Sequence, residues 1–323
     1  MIKEKWLAGI DIGGTTIKLA FLTESGELKT KWEIPTDANQ GGLKVVKDIG
    51  ETIREKLLDL NKEADILQAI GVGAPGFLEM ETGFVYEAIN LGWKDFALKD
   101  ELEHELGVPT AIDNDANLAA LGERWLGAGD GAKDVLFITL GTGVGGGVIA
   151  NEKILHGANG MAGELGHITV IPENGKQCNC GKTGCLETVS SATGIVQLAM
   201  EMIPDYPSST LAPLMNENKI TARDVLVFAG EGDEGAKAVV AKSMFYLGFV
   251  VANLANTLNP SRIVIGGGVS KGGQTLLDPL IETYTKFVLK RVGEAADIKI
   301  AELGNDAGVV GAAWIALAAK RQA

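Results

Sequence analysis

The sequence predicts an α/β protein of two domains, and three observations carry that expectation. Apolar segments of strand length alternate with segments of helical period. Two units of one layout, strand then Gly/Thr-rich turn then strand, occur at residues 6–22 and again from 134. They suggest two related halves facing one nucleotide. At 323 residues, the chain is long enough for each half to bury its own core.

The elements follow in order. Trp6 to Ile12 is an apolar run ending in Asp11 and Gly13-Gly14, followed by Thr15, Thr16 and a second run, Ile17 to Leu22. After the turn Glu24 to Glu27, Leu28 to Ile34 alternates as a third strand. Leu43 to Leu60 has the helical period of Val46, Ile49, Ile53 and Leu57, and Ile66 to Val72 is a strand. Gly73 to Gly76 ends it, and Phe77 to Tyr86 reads as a hairpin. A helix over Leu98 to Leu106 precedes a buried strand, Val108 to Ile112, which runs into Asp113-Asn114-Asp115-Ala116-Asn117 at the start of the next helix. One of these polar residues suffices as a cap, so the cluster reads as a cap, as a site, or as both. Asp134 to Leu140 is a strand that empties into the glycine-rich turn Gly141 to Gly147, with the next strand from Val148. Both Gly/Thr turns offer backbone amides and a hydroxyl to an anion, but neither matches GxxxxGK[ST], nor GxGxxG opening a helix. Helices are expected over Ala192 to Ile203, Ala222 to Ala229 and Ala236 to Leu258. Arg262 to Ile265 is a strand ending in Gly266-Gly267-Gly268, with Val269 and Ser270 opening the following helix. Triple glycine there lets a flat ligand approach the backbone. Ile298 to Leu303 is the last strand and Gly308 to Lys320 the last helix.

Composition bounds the function. Hydrophobic residues at 46% against 22% charged describe a soluble globular chain, and 43 glycines, well above the usual share of about 7%, mean that many backbone positions need special conformations. A net charge of −13 disfavours nucleic acid and anionic membrane as partners. The first residues do not read as a signal peptide, and no apolar run reaches transmembrane length. Together with an odd cysteine count, this points to a reducing compartment, the cytoplasm.

All three cysteines, Cys178, Cys180 and Cys185, lie in one stretch that begins at Gly163 and also holds His167, one of three histidines. Three thiolates and one imidazole close a tetrahedral zinc site with no open position, so the metal is expected to be structural. Glu164 and Glu187 bracket the cluster, and closing it draws both carboxylates towards His167.

The motifs DIGGTTIK (11–18), NDAN (114–117), LGTGVGGGV (140–148), GELGH (163–167) and CNCGKTGCLE (178–187) occur in this order. Together they resemble the ROK family of sugar kinases, most of all its bacterial glucokinases. The resemblance implies a two-domain actin-like ATPase fold, ribonuclease H-like, with the active site in the interdomain cleft. A small α/β domain would comprise 1–116 plus 308–323, and a large one 117–307 with the zinc loop. It implies ATP with Mg2+ and structural Zn2+ as cofactors, and phosphorylation of glucose at the 6-hydroxyl. By the same resemblance Asp115 is the general base, and Asn114, Asp115, Glu164, His167, Glu187 and Gly76 bind the sugar. Asp11, Gly13, Gly14, Thr15, Thr16, Gly141, Thr142 and Gly143 hold phosphate and magnesium, while Gly267 and Gly268 lie against adenosine. His167, Cys178, Cys180 and Cys185 are the zinc ligands. Sugar and ATP are the expected partners, with no nucleic acid or membrane, in a homodimer or larger homo-oligomer. Another sugar, such as mannose, fructose or an N-acetylhexosamine, or polyphosphate as donor, is not excluded by the motifs. A sugar-sensing repressor is disfavoured by the acidic charge and by the ten residues ahead of Asp11, too few for a DNA-binding module.

Overall fold

The apolar run from Trp6 becomes β1 (Trp6–Ile12), the central strand of a five-stranded sheet, buried at every position except Asp11, which is half-buried. A strand covered on both faces needs such a continuous apolar run. The computed structural model describes residues 4–217 and 219–322. β2 (Thr16–Thr23) and β3 (Leu28–Pro35) continue from β1 as an antiparallel meander. On the other side β4 (Leu67–Ala74) and β8 (Thr110–Asn114) add in parallel, giving the order β3-β2-β1-β4-β8. Between them the chain forms α1 (Leu43–Asp59), a small antiparallel sheet of β5 (Phe77–Glu79), β6 (Phe84–Ala88) and β7 (Trp93–Phe96), and α2 (Leu98–Leu106). α1 buries Val45, Val46, Ile49, Ile53 and Leu57 on one face, as its period requires. β8 starts just after Pro109, which has no N–H to give to a ladder.

The second sheet repeats this plan. β9 (Val135–Leu140), β10 (Val144–Ala150) and β11 (Lys153–Ile154) form the meander, and β12 (Arg262–Gly266) and β13 (Asp297–Ile300) add in parallel, in the order β11-β10-β9-β12-β13. The helices of this half are α4 (Glu187–Ser190), α5 (Ala192–Met202), α6 (Leu211–Asn216), α7 (Ala222–Gly230), α8 (Glu234–Leu258), α9 (Gln274–Phe287) and α10 (Lys290–Gly293). α8 is long and apolar enough to cross a membrane by length and composition, and 56% of its most apolar window is buried in the protein.

Two expectations are corrected here. The glycine run after β9 is not all turn, since β10 begins at Val144, paired with Leu140. Its glycines are needed for packing: a Cβ on Gly146 would overlap the Leu165 side chain, and one on Gly163 would sit 2.8 Å from the Gly146 oxygen. Val269 and Ser270 lie in a single 3-10 turn, Gly268–Gly272, and α9 starts only after Gly273 (φ +56).

The compact units comprise residues up to Gly131 with 156–162 and from Asn305 onward, and 132–155 with 163–304. Helix α3 (Asp115–Leu126), grouped with the second domain on the sequence reading, lies in the first unit. It packs against the C-terminal helix, Ala307–Gln322, by close backbone approach. A Cβ on Gly311 would overlap the Leu118 carbonyl, and one on Gly122 the Ala307 carbonyl. The same helix lies on β1 and β4, where a Cβ on Gly71 would overlap the Ala312 carbonyl and Ile315. Gly71→Ala is therefore expected to cost about 1–3 kcal/mol by overpacking and to lower the melting temperature by about 2–12 °C, measured by thermal denaturation.

Candidate active site

In the first unit the turn between β1 and β2 is closed by Gly13 N–H donating to the Thr16 carbonyl at 3.0 Å. The Thr36 hydroxyl pins it by donating to the Gly13 carbonyl at 2.7 Å. Gly14 and Thr15 are left exposed at its tip. Asp11 stands beside this turn, its register partner on β2 being Lys18. Burial raises the Asp11 pKa and the Asp115 carboxylate raises it further, with Lys18 opposing. Two carboxylates that repel each other are a pair that a divalent cation would neutralise.

Asn114 is the N-cap of α3, its Oδ1 accepting from Ala116 N–H at 2.9 Å, so capping and a site function coexist in this cluster. Asp115 Oδ1 also accepts from Ala116 N–H, at 2.8 Å, which leaves Oδ2 without a protein hydrogen bond among the described residues. Protein surrounding Asp115 raises its pKa by desolvation, against the lowering effect of its backbone hydrogen bonds. The side chain itself is open to water, and a carboxylate of this kind is a ready proton acceptor. Gly76 (φ +104) ends the β4 segment, and a Cβ there would overlap the Glu87 carbonyl.

In the second unit Gly141 to Gly143 form a three-residue turn from β9 to β10, tied by Gly141 N–H to the Gly143 carbonyl at 3.0 Å. Thr142 is exposed at its tip. Gly267 (φ +84) lies against the end of β9, where a Cβ would overlap the Leu140 carbonyl, while Gly268 faces open space. Gly141, Thr142 and Gly268 line a cavity of about 1000 Å³ together with Thr221, Arg223, Leu226, Lys271 and Thr275. The sequence reading missed this α7 wall; nothing in its helical period distinguishes it, and only the nearby glycines hint at a ligand.

His167, Cys178, Cys180 and Cys185 converge, with their ligand atoms all within 4.8 Å of one another. Cys178 Sγ is 3.6 Å from His167 Nδ1 and Cys180 Sγ is 3.7 Å from Cys185 Sγ. A zinc tetrahedron with Zn–S near 2.3 Å and Zn–N near 2.0 Å has edges of about 3.5–3.8 Å, so the donor set fits. The turn is held by Cys178 N–H to the Lys182 carbonyl at 2.8 Å, and Lys182 Nζ donates to the His167 carbonyl at 2.8 Å. Burial pushes the Cys178 thiol up and that of Cys185 to about 12, while a backbone N–H from Lys182 lowers Cys180. A cation would reverse the two upward shifts. His167 Nε2 points the other way, 3.7 Å from Glu164 Oε2. Glu187 starts α4; its Oε1 is 3.7 Å from Cys178 Sγ and its Oε2 accepts from Val144 N–H at 2.9 Å. That last bond joins the cysteine loop to the glycine turn and has no sequence signature.

The ROK family matches residues 7–319. The chain belongs to the ROK family. It is 56% identical over 315 residues to a glucokinase of Halalkalibacterium halodurans, covering 97% of this chain and 96% of that one. A ROK family glucokinase from Streptomyces griseus, solved in complex with glucose and AMPPNP, superposes with a TM-score of 0.75 at 34% identity, covering 98% of this chain and all of that one. A ROK family transcriptional regulator superposes with a TM-score of 0.86 at 26% identity, covering 98% of this chain and 79% of that one. The ROK fold, of actin-like ATPase type, thus serves both catalysis and regulation.

Proposed function

We propose that this ROK protein is an ATP-dependent sugar kinase that phosphorylates glucose at its 6-hydroxyl. The observation that carries the reading is its full-length similarity to a glucokinase, and the motif residues within each unit support it. Phosphoryl transfer asks a protein to position and to neutralise. Asp115 accepts the proton of the attacking 6-hydroxyl through Oδ2, which takes no hydrogen bond from another of the described residues. Asn114 Oδ1 is committed to the cap, so its amide N–H groups serve a sugar hydroxyl. Glu164, His167 through Nε2, Glu187 and the Gly76 turn complete the sugar contacts. The turns at Gly13 to Thr16 and Gly141 to Gly143 offer amides to phosphate, and the α7-walled cavity beside Gly268 takes the adenosine. Magnesium bound near Asp11 would neutralise charge on the phosphates. Zinc held by His167 Nδ1 and the three thiolates would be structural, fixing the imidazole so that Nε2 meets the sugar. Exposed Phe245, Phe249 and Phe287, stacked edge to face, support a homo-oligomeric enzyme, and cysteines gathered as metal ligands suit the cytoplasm.

A coupled assay over glucose, mannose, fructose and N-acetylhexosamines, with ATP and with polyphosphate, tests the reading. Glucose with ATP is expected to give the highest kcat/KM; a higher value for another sugar or donor overturns the assignment. Glu187→Ala is expected to raise the KM for glucose by about 10–100-fold, the scale of a hydrogen bond to a charged group, about 1.5–3 kcal/mol. The KM for ATP rises less, because Glu187 touches the second glycine turn through one hydrogen bond, from Val144 N–H. Steady-state kinetics on both substrates check this, and equal losses would count against the sugar role.

A further inference from the structure

His156 has no place in the site described above, yet it holds the residue next to it. Asp113, two residues ahead of Asp115 on β8, has a side chain only 4% exposed. Its Oδ1 accepts from Asn114 N–H at 2.8 Å and from Asn117 Nδ2 at 2.8 Å, which spans the start and the first turn of α3. Its Oδ2 accepts from His156 Nε2 at 2.8 Å. His156 opens the segment 156–162, which belongs to the first unit although residues on both sides of it belong to the second. The segment closes on itself, Ala162 N–H donating to the His156 carbonyl at 3.0 Å, with turns at Gly157 (φ +76) and Gly160 (φ +80). The imidazole therefore comes from a short closed loop rather than from a free strand end. A buried carboxylate is costly unless fully partnered, and among its three hydrogen-bond donors here only His156 can carry positive charge. The pair with Asp113 raises the His156 pKa, consistent with a bond to a carboxylate.

We propose that His156 is a positioning residue for Asp115: by fixing Asp113 it sets the first turn of α3, and so the orientation in which Asp115 meets the sugar hydroxyl. This rests on the reading of Asp115 as the proton acceptor. Small displacements of a reacting group carry large rate effects, so the consequence falls on kcat, whereas the nucleotide contacts lie on other residues.

The test compares kcat, both KM values and the melting temperature of wild type, H156A, H156Q, H156N, D113N and the double variant D113N/H156A. H156A is expected to lower kcat by roughly 10-fold or more with the KM for ATP unchanged. A glutamine amide nitrogen reaches the place of histidine Nε2 and an asparagine amide does not, so H156Q should recover most of kcat and H156N should not. This pair decides the matter even if H156A fails to fold. D113N/H156A should be no slower than D113N, because both changes break one link. Wild-type kcat in H156A or H156N, equal impairment of H156Q and H156N, or additive losses in the double variant would each overturn the proposal. D115N run alongside separates the two levels: if it keeps turnover, the reading of Asp115 falls and the inference with it, whereas an inactive D115N beside an unimpaired H156N sinks the inference alone.

Discussion

Asp115→Asn is expected to lower kcat by about 10²–10⁴, the scale of losing a general base, while glucose and ATP still bind. The structure adds a sign for pH and for stability. Desolvation raises the Asp115 pKa above its usual 3.8, so in wild type the acid limb of kcat/KM is expected above that value. For stability the same raised pKa works in reverse. The contribution is fully present below the unfolded pKa and is lost as pH rises through the folded one, because ionisation at this place is opposed. Asparagine removes the charge, so the variant should melt no lower than wild type at neutral pH. Calorimetry beside steady-state kinetics checks both; near-normal turnover, or a large drop in melting temperature, contradicts the assignment.

Chelating the proposed zinc, or changing Cys180→Ala, is expected to lower glucose affinity by at least about 10-fold, the scale of one lost hydrogen bond to a charged group. The melting temperature should fall with it. The geometry explains the coupling: His167 offers Nδ1 to the cluster and Nε2 to the Glu164 side, and Glu187 lies against Cys178. Freeing the loop would release all three residues proposed to contact the sugar. The turn at Gly13 to Thr16 belongs to the other unit and should keep its proposed phosphate role, whereas the turn at Gly141 to Gly143 loses part of its support through Glu187 and Val144. Elemental analysis with glucose binding and thermal melting, in wild type and Cys180→Ala, checks the link. Zinc-free protein with full glucose affinity would break it.

Features written into contiguous residues could be read from the sequence. The strand from Trp6, the period of α1 and the crowding of three cysteines near His167 each depend on neighbours along the chain. What escaped reading depends on distant partners. The glycines of β10 look like turn residues, and only the loop around Gly163 and Leu165 packing on them explains a strand there. Asp113 reads as one more polar residue in a capping cluster, because its partner on Oδ2, His156, lies far along the chain. The cavity wall from α7 carries no motif, since a ligand pocket of ordinary apolar and polar side chains has no period of its own. The placement of α3 was missed because Gly122 and Gly311 mark a close helix pair only once both helices are in view.

The central claim is that a phosphoryl group passes from ATP to the 6-hydroxyl of glucose. Phosphorus and carbon NMR of the products from wild-type protein, ATP, magnesium and glucose tests it most directly. The account predicts glucose 6-phosphate and ADP in equal amounts, with both suppressed in Asp115→Asn. ADP formed without sugar phosphate, or phosphate carried on another hydroxyl, would contradict it.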